Sequence, residues 1–225
     1  MVILRGAYRP IIAGIISRRN AMFKNILDIV LLPEKLYKKF TDRVITLVIG
    51  VFALGIIDYI YSISEKLQSL FIDKTFLDLS KNIIFSLIFI IVFGLGDAVF
   101  FSIPLTDVIK KLKSDNDIDE KSSRIKIMKI QILANCIIFI PTIVLTYITN
   151  QVDLDKNIEL SVPLMYGFLL IQIWLSAIIT RGIKSIFDIE QRFKLLIFPI
   201  VFFWYFIVGM ALNFIVDKLM SFVLV

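Results

Sequence analysis

Five stretches of this chain are so long, so apolar and so poor in charge that only bilayer-spanning helices accommodate them: Val44–Ser62, Asn82–Thr106, Ile130–Thr149, Ser161–Thr180 and Leu195–Val216. Crossing a bilayer core takes about 20 predominantly apolar residues. Lipid offers no hydrogen bonds, so the backbone of each run must satisfy itself as a helix. Composition agrees. Hydrophobic residues make up 58% of the 225, with 20 Phe among them, and the mean hydropathy is +0.87. A soluble domain averages about 45–50% apolar residues, and a fold of this size has too little interior to hide the excess. The expected fold class is therefore all-α: an integral membrane bundle of five transmembrane helices, preceded by short amphipathic cytoplasmic helices. Residues 1–43 form a basic N-terminal segment and residues 44–225 the transmembrane domain.

What is missing narrows the chemistry. The chain has no histidine, which removes Ser-His-Asp triads, Cys-His pairs, His-ligated metals and haem, and His proton relays. The one cysteine, Cys136, lies in an apolar run and reads as a buried small apolar residue. Net charge is +6. In a membrane protein an excess of Lys and Arg points first to loops at the cytoplasmic, anionic leaflet, and no aromatic-basic pattern argues for nucleic acid.

Lys and Arg also orient the chain. Nine precede Val44, seven lie between the second and third runs and four between the fourth and fifth, which puts twenty on one side against five on the other. The positive-inside rule then places the N-terminus in the cytoplasm and the C-terminus outside. The apolar patch Ile11–Ile16 is too short for a signal-peptide core or a span. Among the prolines, Pro163 sits at a first turn, whereas Pro141 and Pro199 predict kinks.

The segment before the first span is patterned. Phe23, Ile26, Leu27, Val30 and Leu31 recur at helical spacing, Pro33 restarts the chain, and Leu36, Tyr37 and Phe40 repeat the pattern against Lys35, Lys38 and Lys39. Two readings stand side by side. These short helices lie on the anionic inner leaflet with their apolar face in lipid, or the same face docks on the bundle. Leu67, Leu70, Phe71, Phe76 and Leu77 form a similar interfacial patch on the other side.

Asp97 is the acidic residue set deep in a span, and an intramembrane carboxyl is a functional candidate by default. Gly94-Leu95-Gly96-Asp97 matches the GxGD signature of intramembrane aspartyl proteases, whose acid–base work needs a second aspartate. The other candidate, Asp58, precedes Tyr59 where that family has Tyr-Asp, and the third motif, Pro-Ala-Leu, is absent. Counting residues from the outer surface, Asp58 and Asp97 differ in depth by about 16 Å at ~1.5 Å per residue, too far for a dyad. Asp97 otherwise reads as a hydrogen-bonded packing residue. Gly94 and Gly96 would allow close helix approach, and Asn135, Thr142, Gln172, Ser176 and Asn213 would supply polar partners. Trp174 and Trp204 fall mid-span, as core fillers. The run Ser114–Glu120 alternates Asp and Asn like the start of a calcium loop but lacks the central Gly and the closing Glu. There is no Walker A, no GxSxG and no glycine-rich nucleotide fingerprint. Neither enzyme nor cofactor is indicated.

Three stretches resemble the YIP family, membrane proteins named for interacting with Ypt/Rab GTPases. They are Phe23–Phe40 with Leu-Leu-Pro-Glu-Lys-Leu-Tyr around Pro33; Arg124–Thr142 with Asn135 and Pro141; and Trp174 followed by Thr180-Arg181-Gly182-Ile183-Lys184 and Lys194-Leu195-Leu196. The resemblance spans about Met22 to Val216 and implies five helices with a cytoplasmic N-terminus. The Asp-Leu-Tyr-Gly-Pro stretch typical of eukaryotic members is absent, and heavy Ile and Lys use without His points to an AT-rich bacterial genome. The resemblance implies a non-enzymatic, multi-pass cell-membrane scaffold or adaptor. Its N-terminal residues Phe23, Leu27, Val30, Leu31, Pro33 and Phe40 would face the bilayer, a membrane-protein partner or anionic lipid. The alternative is a small permease or an accessory transporter subunit, with Asp97 on the solute or proton path and Asn135 and Asn213 as further candidates.

Overall fold

A computed structural model describes residues 24–63, 75–112, 119–151 and 158–223. Phe23, the patch Ile11–Ile16, the apolar residues Leu67, Leu70 and Phe71, and most of the calcium-like run Ser114–Glu120 lie outside the described residues. Within them the chain is helical, with no strand. Two short helices, α1 (residues 24–30) and α2 (Glu34–Tyr37), precede five long ones: α3 (Val44–Ile63), α4 (Phe76–Leu112), α5 (Glu120–Gln151), α6 (Ile158–Ile186) and α7 (Ile197–Val223). A 3-10 turn, Gln191–Phe193, joins the last two.

All five long helices are long and apolar enough to cross a membrane. Only 17% to 33% of each apolar window is buried inside the bundle, so the rest needs a surrounding as apolar as itself. This is the architecture of a multi-pass membrane protein. Helices α4 to α7 form a ring in which α7 closes back onto α4, and α3 packs across α4 and α5.

The helices outrun the apolar stretches that mark them. At 37 residues α4 is about 55 Å long, against a hydrocarbon core of about 30 Å. Local capping explains the extension. Thr75 Oγ1 accepts from Asp78 N at 3.3 Å and donates to Asp78 Oδ2 at 2.6 Å, which starts α4 ahead of Phe76. Asp119 Oδ1 accepts from the Lys121 and Ser122 amides, and Glu120 pairs with Lys110 and Arg124, which starts α5 well before its apolar run. Helix α7 begins at Ile197, so Pro199 falls in its first turn. The proline's missing donor belongs there to the unpaired end, and the expected kink is not required. Pro163, expected at a first turn, lies six residues into α6, while Pro141 lies within α5 as expected.

The tightest contact is between α3 and α4. A Cβ on Gly55 would stand 1.9 Å from Ile90 O, and one on Gly94 would stand 2.3 Å from Val51 O. Backbone meets backbone here, so only glycine fits. Gly96 plays no such part, since a Cβ there meets nothing nearer than the Phe100 ring at 3.9 Å.

Part of the N-terminal unit docks on the bundle, through Leu31, Leu32, Tyr37 and Phe40, while Ile26, Leu27 and Val30 stay about half exposed. Tyr37 is fully buried among the core residues of α5 and α6, with Leu31, Leu32 and Phe40 packed beside it. Its hydroxyl donates to Leu31 O at 2.9 Å and to Ile178 O at 3.2 Å, and burial pushes that hydroxyl up to about 12, so it stays a neutral donor. Trp174 Nε1 donates to Val30 O at 2.7 Å. The carbonyls left open where α1 ends thus find partners in α2 and α6. Gly182 makes the room, because a Cβ there would lie 2.7 Å from Ile130 and 2.9 Å from the Tyr37 ring. Leu32 holds a left-handed φ of 64°, which costs roughly 1–2 kcal/mol for a branched residue and turns the chain sharply ahead of Pro33.

Candidate functional site

The apolar core fills the half of the bundle nearer the N-terminal helices, with Leu105, Ile109, Ile127, Ile130, Ile179 and Ile183 all essentially inaccessible. The other half encloses a polar cavity of about 200 Å³. Every one of the five long helices contributes to it: Asp58, Tyr61 and Ser62 from α3, Asp97 from α4, Asn135 and Thr142 from α5, Gln172 from α6, and Tyr205 and Asn213 from α7. Polar side chains scattered over 156 positions of sequence meet only here, each as an isolated break in an otherwise apolar helix.

Four of these nine side chains, Tyr61, Asn135, Thr142 and Tyr205, are held by hydrogen bonds. Tyr205 Oη donates to Asn135 Oδ1 at 2.8 Å, and Asn135 Nδ2 donates to Gln131 O at 3.0 Å. Gln131 Nε2 reaches Asp97 O at 3.5 Å, tying α5 to α4 just below the cavity. Thr142 Oγ1 turns back to Ile138 O at 2.8 Å, and Tyr61 Oη donates to Phe139 O at 3.3 Å. Asp97 is 5% exposed. Two buried oxygens remain without a hydrogen-bond partner, Asp58 Oδ2 and Gln131 Oε1. An unsatisfied buried acceptor costs about 1–3 kcal/mol, so the cavity has acceptor capacity left for a proton, a water or a bound cation.

The register of α3 against α4 agrees with the depth count: the pairs Gly55–Ile90 and Tyr59–Ser86 set Asp58 level with Leu87, ten residues or about 15 Å along α4 from Asp97. Asp58 nevertheless lines the same cavity as Asp97. Side chains lean toward the N-terminus of their own helix, and α3 and α4 run antiparallel, as the pairs Gly55–Ile90 and Tyr59–Ser86 show. Asp58 therefore leans toward the bundle middle from one end and Asp97 from the other. The glycine seam brings the two helices close enough for both to reach one space.

Of the expected polar partners, Asn135, Thr142, Gln172 and Asn213 line the cavity, with Asn213 at its exposed rim. Ser176 does not; its Oγ is buried elsewhere without a partner. Tyr61 and Tyr205 escaped the sequence reading because a tyrosine in an apolar run looks like any aromatic. Their signal was the phenol itself, which seeks a partner when buried. The tryptophans do more than fill space: besides the Trp174 bond, Trp204 Nε1 donates to Phe101 O at 3.1 Å. Cys136 is exposed on α5, in a crevice beside Phe40 and Lys129, not buried as its apolar run implied.

The N-terminal candidates divide. Leu31 and Phe40 pack against the core, while Leu27 and Val30 stay half exposed, at 46% and 43%, and Pro33 is exposed. Comparison with known proteins finds no matching family model, no similar curated protein and no similar solved structure.

Proposed function

We propose that this chain is a non-enzymatic membrane-transport component whose central cavity carries a proton or small cation between Asp58 and Asp97. The observation behind the reading is the convergence of two carboxyls and hydroxyl or amide groups from all five helices in one cavity of a lipid-exposed bundle. Oxygen donors suit a proton or a hard cation, and intramembrane carboxyls cost too much to be retained as filler. The protease reading gains a shared cavity but still lacks the Tyr-Asp order and a Pro-Ala-Leu motif. The Lys and Arg asymmetry supports an N-terminus in the cytoplasm, and heavy Ile and Lys use without His supports a bacterial cell membrane.

The test is proton flux into liposomes holding the purified protein, driven by a potassium-valinomycin potential and read with an internal pH dye. Flux above protein-free liposomes is expected, abolished by Asp97→Asn and by Asp58→Asn, with folding checked by elution as a single species. Flux no greater than in empty liposomes, or unchanged in both variants, overturns the reading.

A second reading, the YIP-type scaffold, is favoured by a different observation. Two of the three stretches that carry that resemblance dock on each other through Trp174–Val30, Arg181–Asp28 and Tyr37–Gly182. Ile26 and Ile29 of α1 remain 47% and 80% exposed as a face for a partner or the inner leaflet. Affinity capture from native membranes with and without residues 1–40 tests it. A specific partner lost on truncation supports the scaffold, and an unchanged set of proteins refutes it.

A further inference from the structure

Where the N-terminal unit meets α6 and the start of α7, an open cleft of about 660 Å³ remains. Its chemistry differs from the central cavity's. Lys24, Lys38 and Lys184 stand around it, and no described ion pair engages any of the three. Arg181 is held from one side by Asp28, yet its Nε is buried without a partner. Thr180, only 6% exposed, lines the same cleft with its hydroxyl unpartnered as well. A threonine in a helix ordinarily returns its hydroxyl to the carbonyl four residues back, as Thr106, Thr142 and Thr149 do here. Glu34 is the one acid among the described residues that line the cleft. Leu27, Leu31, Ala177 and Phe198 make the remaining wall apolar.

Unpaired cations, two idle buried donors and an adjoining apolar wall at the end of a membrane bundle fit one kind of occupant. We propose that the cleft binds an anionic glycerophospholipid, its phosphate taken by Lys38, Lys184, Thr180 and Arg181 Nε and its acyl chain laid along Ala177 and Phe198. Phosphate oxygens accept from all four donors, and charge-assisted bonds are the stronger kind. Basic pockets between helices near the polar end of a bundle are where such head groups lodge. The site is independent of the central cavity: it stands whether or not Asp97 carries a proton.

The experiment uses the purified full-length protein in phosphatidylcholine nanodiscs carrying a trace of spin-labelled phosphatidylglycerol, with the motionally restricted lipid read by electron spin resonance. A restricted component is expected, displaced by unlabelled phosphatidylglycerol and not by added phosphatidylcholine. The double variant Lys38→Gln/Lys184→Gln weakens it by about tenfold or more, at roughly 1 kcal/mol per lysine. Thr180→Val, which keeps the side-chain shape, weakens it less but measurably. The control pair Lys110→Gln/Lys111→Gln, at the same end but outside the cleft, leaves it unchanged. Equal loss in both pairs means diffuse surface attraction and overturns the proposal, as does the absence of a restricted component. Displacement by soluble glycerol phosphate as effectively as by the lipid shows a site for free phosphate and overturns the choice of lipid.

Discussion

The two polar spaces in this molecule carry ionisable groups of opposite kinds, carboxyls in one and amines in the other, and are built in opposite ways. The central cavity is acidic and opens at the Asn213 rim, and side chains from five helices line it; no local sequence motif contains it. The cleft beside the N-terminal unit is basic and open, and two short sequence segments make it, residues 24–38 and 177–185, with Phe198 added. The cavity depends on helices packed closely, as at the Gly55–Gly94 seam. The cleft depends on one docking event, Tyr37 seated against Gly182. The acidic site thus stands or falls with the whole bundle, whereas the basic one can be lost by undocking while the bundle stays folded.

The largest effect that separates them is Gly94→Leu. The added side chain collides with the Val51 and Gly55 backbone, which a rotamer change cannot relieve. Overpacking against backbone exceeds the usual 1–3 kcal/mol range, and a fall in Tm of about 10 °C or more in detergent is expected for a chain of this size. A cooperative melt at the parent temperature would show that the seam is not a fixed part of the bundle.

Tyr37→Ala comes next. It empties a fully buried site at a cost of about 3–5 kcal/mol, but the loss is local. Limited trypsin digestion should cut rapidly after Lys35, Lys38 and Lys39 while α3 to α7 stay intact. Tyr37→Phe keeps the ring and loses the bonds to Leu31 and Ile178, costing about 1 kcal/mol, and should be cut at an intermediate rate. If Tyr37→Ala unfolded the bundle as Gly94→Leu does, the contrast between a local and a global contact would fail.

Smaller still is the cross-effect. Asp97→Asn should leave phosphatidylglycerol restriction at its parent level while it abolishes proton flux, because the core of Ile127, Ile130, Ile179 and Ile183 separates the two sites. Gly96→Ala closes the series. Its Cβ meets only Phe100 at van der Waals distance, so melting should stay within a few degrees of the parent or rise slightly, by the ~1 kcal/mol or less that alanine gains over glycine in a helix.

The five spans were legible because bilayer thickness imposes a length and lipid imposes composition, and both are local properties of a run. Asp97 was legible too, as a charge where charge is expensive, and so were Asn135 and Asn213 as polar breaks in apolar helices. The pattern of α1 and α2 was readable, but whether its apolar face meets lipid or protein was not. Both offer the same hydrophobic benefit, and the fit of Tyr37 into the space left by Gly182 brings only the Leu31, Tyr37 and Phe40 side to protein, leaving Ile26 and Ile29 exposed. Asp58 and Asp97 sit at different depths, as residue counting has it, but no single-chain count shows that the two line one cavity. Sequence determined how many helices there are and which residues do not belong in lipid. Tertiary packing decided which of those residues share a space, because a polar group in an apolar interior goes where neighbouring helices leave it a partner.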